Sequence, residues 1–251
     1  LSSFNRAIVL SAGQGKRLLP LTESQPKCLL DLSGRTLLAW QLTHLAAAGV
    51  RHATVVTGFA AGRVEEELAR LELPGLEVSA VFNPFFGVAD NLASCWIARS
   101  AFDGETLLLN GDTLFEPEVA VRLIQAPPAD IVVTIDRKAD YDADDMKVAT
   151  RGHELAAIGK TLGVYDAESI GFLRFSAGGA ARFRVEMEAR MRDPVNLKLF
   201  YLSVIDELAR QGGVFVQSIE GLEWGEMDFP GDVESNRAMT ERWVKRARDA
   251  A

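Results

Sequence analysis

The residues with the most chemistry to offer stand near the start of the chain. Ala7-Ile8-Val9-Leu10 is a short apolar run. It opens into Ser11-Ala12-Gly13-Gln14-Gly15-Lys16-Arg17-Leu18, and a second basic stretch follows at Pro26-Lys27-Cys28-Leu29-Leu30. Glycine lets the backbone come close to a ligand and turn its N–H groups outward. Lys16, Arg17 and Lys27 supply cations that can sit against phosphate. Further on, Leu107-Leu108-Leu109 runs into Asn110-Gly111-Asp112, and a late acidic stretch reads Glu223-Trp224-Gly225-Glu226-Met227-Asp228. A carboxylate at the end of an apolar strand can hold a hard cation that bridges phosphates; a turn or a helix cap near Glu116 explains Asp112 equally well. Mg²⁺ takes one or two protein carboxylates plus substrate phosphate, which makes Asp112 with Asp228 a reasonable pair.

Two common phosphate motifs do not fit. The dinucleotide fingerprint GxGxxG needs a small residue at position 18, where Leu18 stands, and this disfavours an NAD-binding protein. The P-loop needs Ser or Thr after Gly-Lys, but Gly15-Lys16 is followed by Arg17, and position 10 is Leu10. What fits is GxGxRLxPLT followed by PKxLL, from Gly13 to Leu30. This stretch resembles the signature of the nucleotidyltransferases that make nucleotide-activated sugars and alcohols. The one mild departure is Ser11-Ala12-Gly13 where the family text opens Ala-Ala-Gly.

The resemblance implies a fold, a reaction and roles. The fold would be an α/β, Rossmann-like mixed and mostly parallel sheet flanked by helices, with a substrate-binding insertion. The reaction would join a phosphate monoester to the α-phosphorus of a nucleoside triphosphate and release pyrophosphate. The nucleophile is already an anion, with a second pKa of about 6, so no general base is required. Catalysis then reduces to positioning and positive charge. The three histidines, His44, His52 and His153, sit in no motif, in keeping with this. Ser11, Ala12, Gly13 and Gly15 would hold the base and triphosphate, with Gly111 beside them. Arg17 and Lys27 would bind the β and α phosphates and act as the catalytic cations. Lys16 can serve the nucleotide or face solvent. Asp112 and Asp228 match the family's metal-binding positions and would hold Mg²⁺. Lys160, after Ile158-Gly159, resembles the later lysine that binds the acceptor phosphate, and Lys147 competes for that role.

The stretch Asn83 to Trp96 contains Asp90-Asn91-Leu92-Ala93-Ser94, where sugar-nucleotide enzymes carry a Gln-rich or Gly-Thr-Ala pattern. It resembles the phosphocholine cytidylyltransferase branch, which includes enzymes for related amino alcohols and aminoalkylphosphonates. Asn83, Asn91 and Ser94 would contact the nucleotide; a helix cap and a core serine are the plainer readings of Asp90 and Ser94. The acceptor would be phosphocholine, converted with CTP into CDP-choline. A sugar or inositol phosphate and 2-aminoethylphosphonate are rival acceptors, and a non-catalytic nucleotide-binding regulator is the rival of another class. The acceptor set comprises Lys160, Lys147, Asp144, Glu168, Tyr201, Trp224 and Glu226. A choline ammonium is held over aromatic faces with acids nearby. Trp224 lies beside Glu226 and Asp228, and Asp140, Asp142, Asp144 and Asp145 crowd one loop. A solvated acidic turn, a core tryptophan and helix-face packing of Phe200 and Tyr201 explain the same residues without a ligand.

The elements must bring these residues together. Strands at 6–11, 53–57, 77–82, 106–109 and 130–135 alternate with helices at 37–49, 62–71, 91–101 and 116–125, a pattern for parallel pairing with right-handed crossovers. Ligands on such sheets bind at the carboxyl ends of strands, where the Gly13 loop, Asn83 and Asp112 fall. A hairpin over 147–159, a strand at 169–175, helices at 177–192 and 197–211, a strand at 214–218 and a closing helix at 232–247 complete the reading. One domain over 1–251 is the simplest division. It comprises a nucleotide-binding half (6–135), an acceptor-binding part (136–230) and the closing helix (231–251).

The 251 residues are 48% apolar, 25% charged and carry a net charge of −8. This supports a full core and argues against nucleic-acid or membrane-surface partners, so an anion site must be a local basic island. No run of about 18 apolar residues occurs, so no membrane insertion is expected. Cys28 and Cys95 form no metal-type pair and read as reduced thiols of a cytoplasmic protein. The partners are then small molecules, an NTP and a phosphorylated alcohol; a homodimer is compatible with all of these features.

Overall fold

A computed structural model describes residues 4–249. The opening apolar run forms β1 (Arg6–Leu10). Ile8 and Leu10 enter the core on one side of the sheet, Ala7 and Val9 the core on the other. Burial on both faces is why this strand is continuously apolar rather than alternating. A small hairpin follows, β2 (Asp31–Leu32) with β3 (Arg35–Thr36). Helix α1 (Leu37–Ala47) starts where Thr36 Oγ1 accepts the Ala39 N–H at 3.1 Å. Then come β4 (His52–Thr57), α2 (Ala61–Arg70), β5 (Glu77–Phe82), α3 (Asn91–Ile97), β6 (Thr106–Asn110), β7 (Thr113–Phe115), α4 (Pro117–Ile124) and β8 (Ile131–Asp136). The remainder contributes β9 (Lys147–Arg151), β10 (Glu154–Ile158), β11 (Ala167–Phe175), α5 (Ala177–Met191), α6 (Tyr201–Arg210), β12 (Val214–Ser218), β13 (Trp224–Glu226) and α7 (Pro230–Asp249).

Among the described residues, nine strands form one sheet in the order β5-β4-β1-β6-β11-β8-β12-β10-β9. β5, β4, β1 and β6 run parallel. β11 enters antiparallel between β6 and β8, and β12 is parallel to β8. The result is the mixed α/β sheet flanked by helices that the signature implies. Residues of α3, α5 and α6 cover one face, and residues of α1, α2 and α4 cover the other. A third cluster joins Leu18, Leu30, Leu32, Leu37 and Trp40 to Leu114, Met227, Met239 and Trp243. It fastens α7 to the segment that carries the basic residues.

Several boundaries differ from the periodic reading. The helix expected over 91–101 ends at Ile97 and continues as a 3₁₀ turn, Arg99–Ala101. The one expected over 197–211 begins at Tyr201, after a 3₁₀ turn at Pro194–Lys198; Phe200 between them is extended and 39% exposed. Asp90 occupies the N-cap position of α3 without a side-chain cap bond. β2, β3, β7 and β13 are two or three residues long, too short for a period-2 pattern to register.

Candidate active site

The loop after β1 is shaped largely by its own residues. Gly15 has φ 81°, and a Cβ there would lie 2.9 Å from Lys27 Cβ, so only glycine lets the two basic stretches close on each other. The Lys27 N–H donates to the Gln14 carbonyl at 3.2 Å. The fully buried Thr22, from the Pro-Leu-Thr of the signature, donates its hydroxyl to the Gly15 carbonyl at 2.7 Å. Gly111 is needed for a different reason: a Cβ would fall 2.3 Å from the Leu10 carbonyl oxygen, where the ends of β1 and β6 touch. A Cβ on Gly13 would meet nothing within 4 Å; no packing requires glycine there.

The charged centre is assembled by a two-stranded ribbon. β7 starts one residue after Asp112, β13 ends two residues before Asp228, and their pairing sets Glu226 opposite Thr113. Gln41 on α1 clamps the β6–β7 turn by donating to the carbonyls of Asn110 and Thr113, both at 2.9 Å. Asp112 and Asp228 therefore meet, and Lys27 Nζ lies between them, 2.5 Å from Asp112 Oδ2 and 2.9 Å from Asp228 Oδ1. Arg17 Nη2 reaches Asp228 Oδ2 at 2.7 Å, and Arg17 Nη1 reaches Asp144 Oδ2 at 2.6 Å. Asp112 is thus no helix cap. Burial works against the Lys27 ammonium, but Asp112 and Asp228 outweigh it and hold it well above its ordinary range. Burial likewise raises Asp228, but Lys27 and Arg17 prevail and keep it below the usual carboxylate range. Burial pushes Glu226 up to about 8, helped by the charges of Asp112 and Asp228. Asp112 Oδ1 is buried with no hydrogen-bond partner in the structure, an oxygen left for a ligand that the protein itself does not provide.

Two cavities flank this centre. The first, about 260 Å³, is lined by Ala12, Gly13, Lys27, Phe86, Asp90, Asn91, Ser94, Gly111 and Asp112 among others. Asn110, which lines it, is accommodated by a bulge in β11: Gly171 has φ 70°, and a Cβ there would collide with the Asn110 side chain at 2.2 Å. The second, about 480 Å³, is walled by acids (Asp142, Asp144, Asp145, Glu168, Glu226, Asp228 and Asp232) together with Lys138, Trp224 and Phe229. Trp224 Nε1 donates to Asp136 Oδ2 at 2.7 Å, which fixes the indole at this wall. Lys160 Nζ lies 3.6 Å from Asp144 and 5.4 Å from the centre of the Phe200 ring.

Some expected contacts take other positions. Asn83, 1% exposed, spends its side chain inside the protein: Nδ2 donates to Ser94 Oγ at 3.0 Å, and Oδ1 accepts the Phe85 N–H at 2.9 Å. It shapes the 83–90 loop and lines neither cavity. Tyr201 is fully buried, its hydroxyl donating to Asn110 Oδ1 at 3.1 Å, and forms no aromatic wall. Lys147 is buried, with Nζ donating to the Asp142 carbonyl at 2.6 Å, so it braces the acidic loop while Lys160 stands at the rim. Lys16 is exposed and pairs with no described carboxylate, and Ser11 is buried, its N–H donating to Val56. The pattern of the chain did not point to Lys138, whose Nζ lies 2.8 Å from Asp145 and 3.0 Å from Glu168. Nor did it point to Phe229, whose ring lies 4.7 Å from the Arg17 guanidinium carbon. Phe229 directly follows Asp228, and that adjacency was its only signal.

A parallel β-α sheet edge that gathers a glycine loop, two cations and two carboxylates is the arrangement that the nucleotidyltransferase resemblance implies. The chain matches the MobA-like NTP transferase domain family over residues 7–193 and belongs to that family. It is 35% identical to a CMP-5'-(3-aminopropyl)phosphonate synthase of Streptomyces rubellomurinus over 90% of this chain and 37% of that protein. The chain spans 37% and 50% of the lengths of the first two curated relatives it matches. The inositol-1-phosphate CTP transferase of T. maritima superposes with a TM-score of 0.80 at 21% identity, covering 94% of this chain and 96% of that one. The CTP:phosphocholine cytidylyltransferase of Streptococcus pneumoniae gives 0.76 at 18% identity, covering 94% and 98%. At these identities the two structures establish the fold.

Proposed function

We propose that the chain is a Mg²⁺-dependent cytidylyltransferase. It transfers a cytidylyl group from CTP to a small acceptor that carries a phosphate or phosphonate at one end and a cationic nitrogen at the other, and pyrophosphate is released. Phosphocholine, giving CDP-choline, is the acceptor favoured by the Asp90–Ser94 pattern. The observation that carries the reading is the adjacency of a cation-lined phosphate rim, Arg17, Lys27 and Lys160, to a cavity walled by acids and two aromatic side chains. A sugar would call for neutral hydrogen-bonding groups in that cavity. CTP is favoured because the relative from S. rubellomurinus is a CMP-adduct synthase and both structural neighbours use CTP by name.

The acceptor's anionic oxygen attacks the α-phosphorus, and the bond to the pyrophosphate oxygen breaks. Lys27 and Arg17 neutralise the charge that keeps the two phosphates apart and that grows on the leaving group. Among the described residues no cluster of three or more His, Cys, Asp or Glu is arranged to hold a metal. The donors that fit Mg²⁺ are the carboxylates of Asp112, with its free Oδ1, and Asp228, an all-oxygen pair that leaves the remaining ligands to phosphate and water. When bound, the ion supplies Lewis-acid charge to phosphate oxygens. Asn91, whose Oδ1 is taken by the Tyr201 N–H, retains its amide for the nucleotide, with Ser94 beside it.

A second acceptor reading has its own observation. Carboxylates outnumber aromatic faces in the cavity, and an –NH₃⁺ group needs hydrogen-bond acceptors where a quaternary ammonium needs rings. That favours aminoalkylphosphonates or a phosphorylated primary amine. Pairing the four common NTPs with phosphocholine, phosphoethanolamine, 2-aminoethylphosphonate and glucose 1-phosphate tests both readings. The expected product is a CMP adduct of an ammonium-bearing acceptor; product from glucose 1-phosphate alone contradicts the proposal.

A further inference from the structure

Asp144 holds a position in which a substrate phosphate would be useful. Its Oδ2 accepts from Arg17 at 2.6 Å, and its Oδ1 lies 3.6 Å from Lys160 Nζ. The three side chains are between one-third and just over one-half exposed: 43% for Arg17, 36% for Lys160 and 53% for Asp144. The pairs are therefore open to exchange with a dissolved anion. Both cations have a second support. Arg17 lies over Phe229 at 4.7 Å and Lys160 over Phe200 at 5.4 Å. Aromatic backing holds them in place when the carboxylate leaves.

The carboxylate itself cannot go far. Its loop, residues 137–146, is anchored on either side. Lys138 pairs with Asp145 and Glu168, and the Asp142 carbonyl accepts from Lys147 Nζ at 2.6 Å. The neighbouring cavity already carries a surplus of acid. Glu168, 4% exposed, accepts from Lys138 Nζ through Oε2 at 3.0 Å, while its Oε1 is buried with no hydrogen-bond partner in the structure.

We infer that Asp144 is an exchangeable counter-ion that selects zwitterionic acceptors. The inference rests on the acceptor reading given above and adds the residue that enforces it. An acceptor phosphate or phosphonate that docks on Arg17 and Lys160 evicts the Asp144 carboxylate. If the acceptor also carries an ammonium, that cation re-pairs Asp144 and takes up the acceptor capacity beside it. If it does not, Asp144 is stranded among Glu168, Glu226 and Asp228, and the repulsion counts against binding. Discrimination thus comes from a penalty on the wrong ligand as much as from attraction to the right one.

Two matched pairs of ligands test this in the full chain with Mg²⁺: 2-aminoethylphosphonate against ethylphosphonate, and phosphocholine against its uncharged carbon isostere, 3,3-dimethylbutyl phosphate. Calorimetric titration of the wild type is expected to show the ammonium-bearing member of at least one pair binding about tenfold tighter. In Asp144→Asn that ratio is expected to fall to about one, with the uncharged-tail ligand gaining while the ammonium ligand loses. Asp140→Asn removes an exposed acid of the same loop and is expected to retain the wild-type ratio. The inference is overturned by no preference in the wild type, by an unchanged ratio in Asp144→Asn, or by an equal shift of both ligands. It is also overturned if Asp140→Asn acts as Asp144→Asn does. Turnover with CTP is read separately: an Asp144-dependent preference without any CMP adduct supports the exchange and removes the cytidylyltransferase reading.

Discussion

Lys27 holds together two carboxylates that would otherwise repel each other, and the proposal asks the same ammonium to stabilise a transferring phosphoryl group. Lys27→Ala is expected to lower kcat by about 10²–10³-fold, while circular-dichroism melting in Mg²⁺ still shows a cooperative fold. Near-normal turnover would remove the assigned role. The neighbouring acids predict a pH dependence of stability. Glu226 and Glu168 rise from an ordinary 4.5 to about 8 and about 7, chiefly through burial, with Lys138 opposing the shift at Glu168. The fold therefore binds their protons more tightly than the unfolded chain does. The stability gained is complete below pH 4.5 and is lost as pH rises through 7 and 8. Asp228, held below its ordinary 3.8, and Lys27, held above its ordinary 10.5, change their contributions outside that window. Burial lowers His44 from an ordinary 6.5 to about 4, which adds stability as pH rises towards 6.5 and no further. The melting temperature of the metal-free protein should thus fall between pH 6.5 and about 8.5, and Glu226→Gln should flatten the upper part of the fall. A melting temperature that climbs over this range would contradict the assignment.

Packing requires some of the site's glycines and leaves others unconstrained. Gly111→Ala drives a methyl group into the Leu10 carbonyl at the β1–β6 seam and should cost about 2–4 kcal/mol in urea unfolding. Gly13→Ala meets nothing within 4 Å and should unfold with wild-type stability, yet weaken CTP binding. Equal stability losses in the two variants would show that Gly13 is structural. The large elements were legible from apolar runs and turn residues, because strands such as β1 and β6 are buried on both faces and helices such as α1 carry caps. The ribbon of β7 and β13 was not, because three-residue strands leave no period to read. That ribbon brings Asp112 and Asp228 together across nearly half of the chain. The pairing of the two acids is suggested by Mg²⁺ ligand chemistry and by the family resemblance, and the element that achieves it is invisible in the sequence.

At the scale of the molecule, the basic segment and the late acidic one are joined by the third cluster and α7. Trp243 on α7 packs edge-on against Trp40, with ring centroids 5.8 Å apart, and its indole N–H donates to Glu223 at 2.7 Å. Trp243→Ala should cost about 3–5 kcal/mol in thermal or urea unfolding and should raise the KM for CTP, because it loosens the cluster that fastens Leu18 to Met227. A stability loss with an unchanged KM would separate α7 from the site. Arg17, Lys27, Asp112 and Asp228 were legible because a dense local motif or an apolar strand singles each out or lies beside it. Asn83 was misread because a polar residue after a strand looks the same whether it turns outward or, as here, inward to Ser94. Lys138 and Phe229 gain their meaning only from partners brought near by folding.

The proposed reaction requires Asp112 to act as a ligand rather than as a turn residue. The direct measurement is pyrophosphate release from CTP, with an ammonium-bearing acceptor, as a function of Mg²⁺ concentration in the wild type and in Asp112→Asn. Saturable Mg²⁺ dependence is expected in the wild type and a loss of about 100-fold or more in the variant, with thermal unfolding still cooperative. Turnover in Asp112→Asn that matches the wild type at every Mg²⁺ concentration would contradict it.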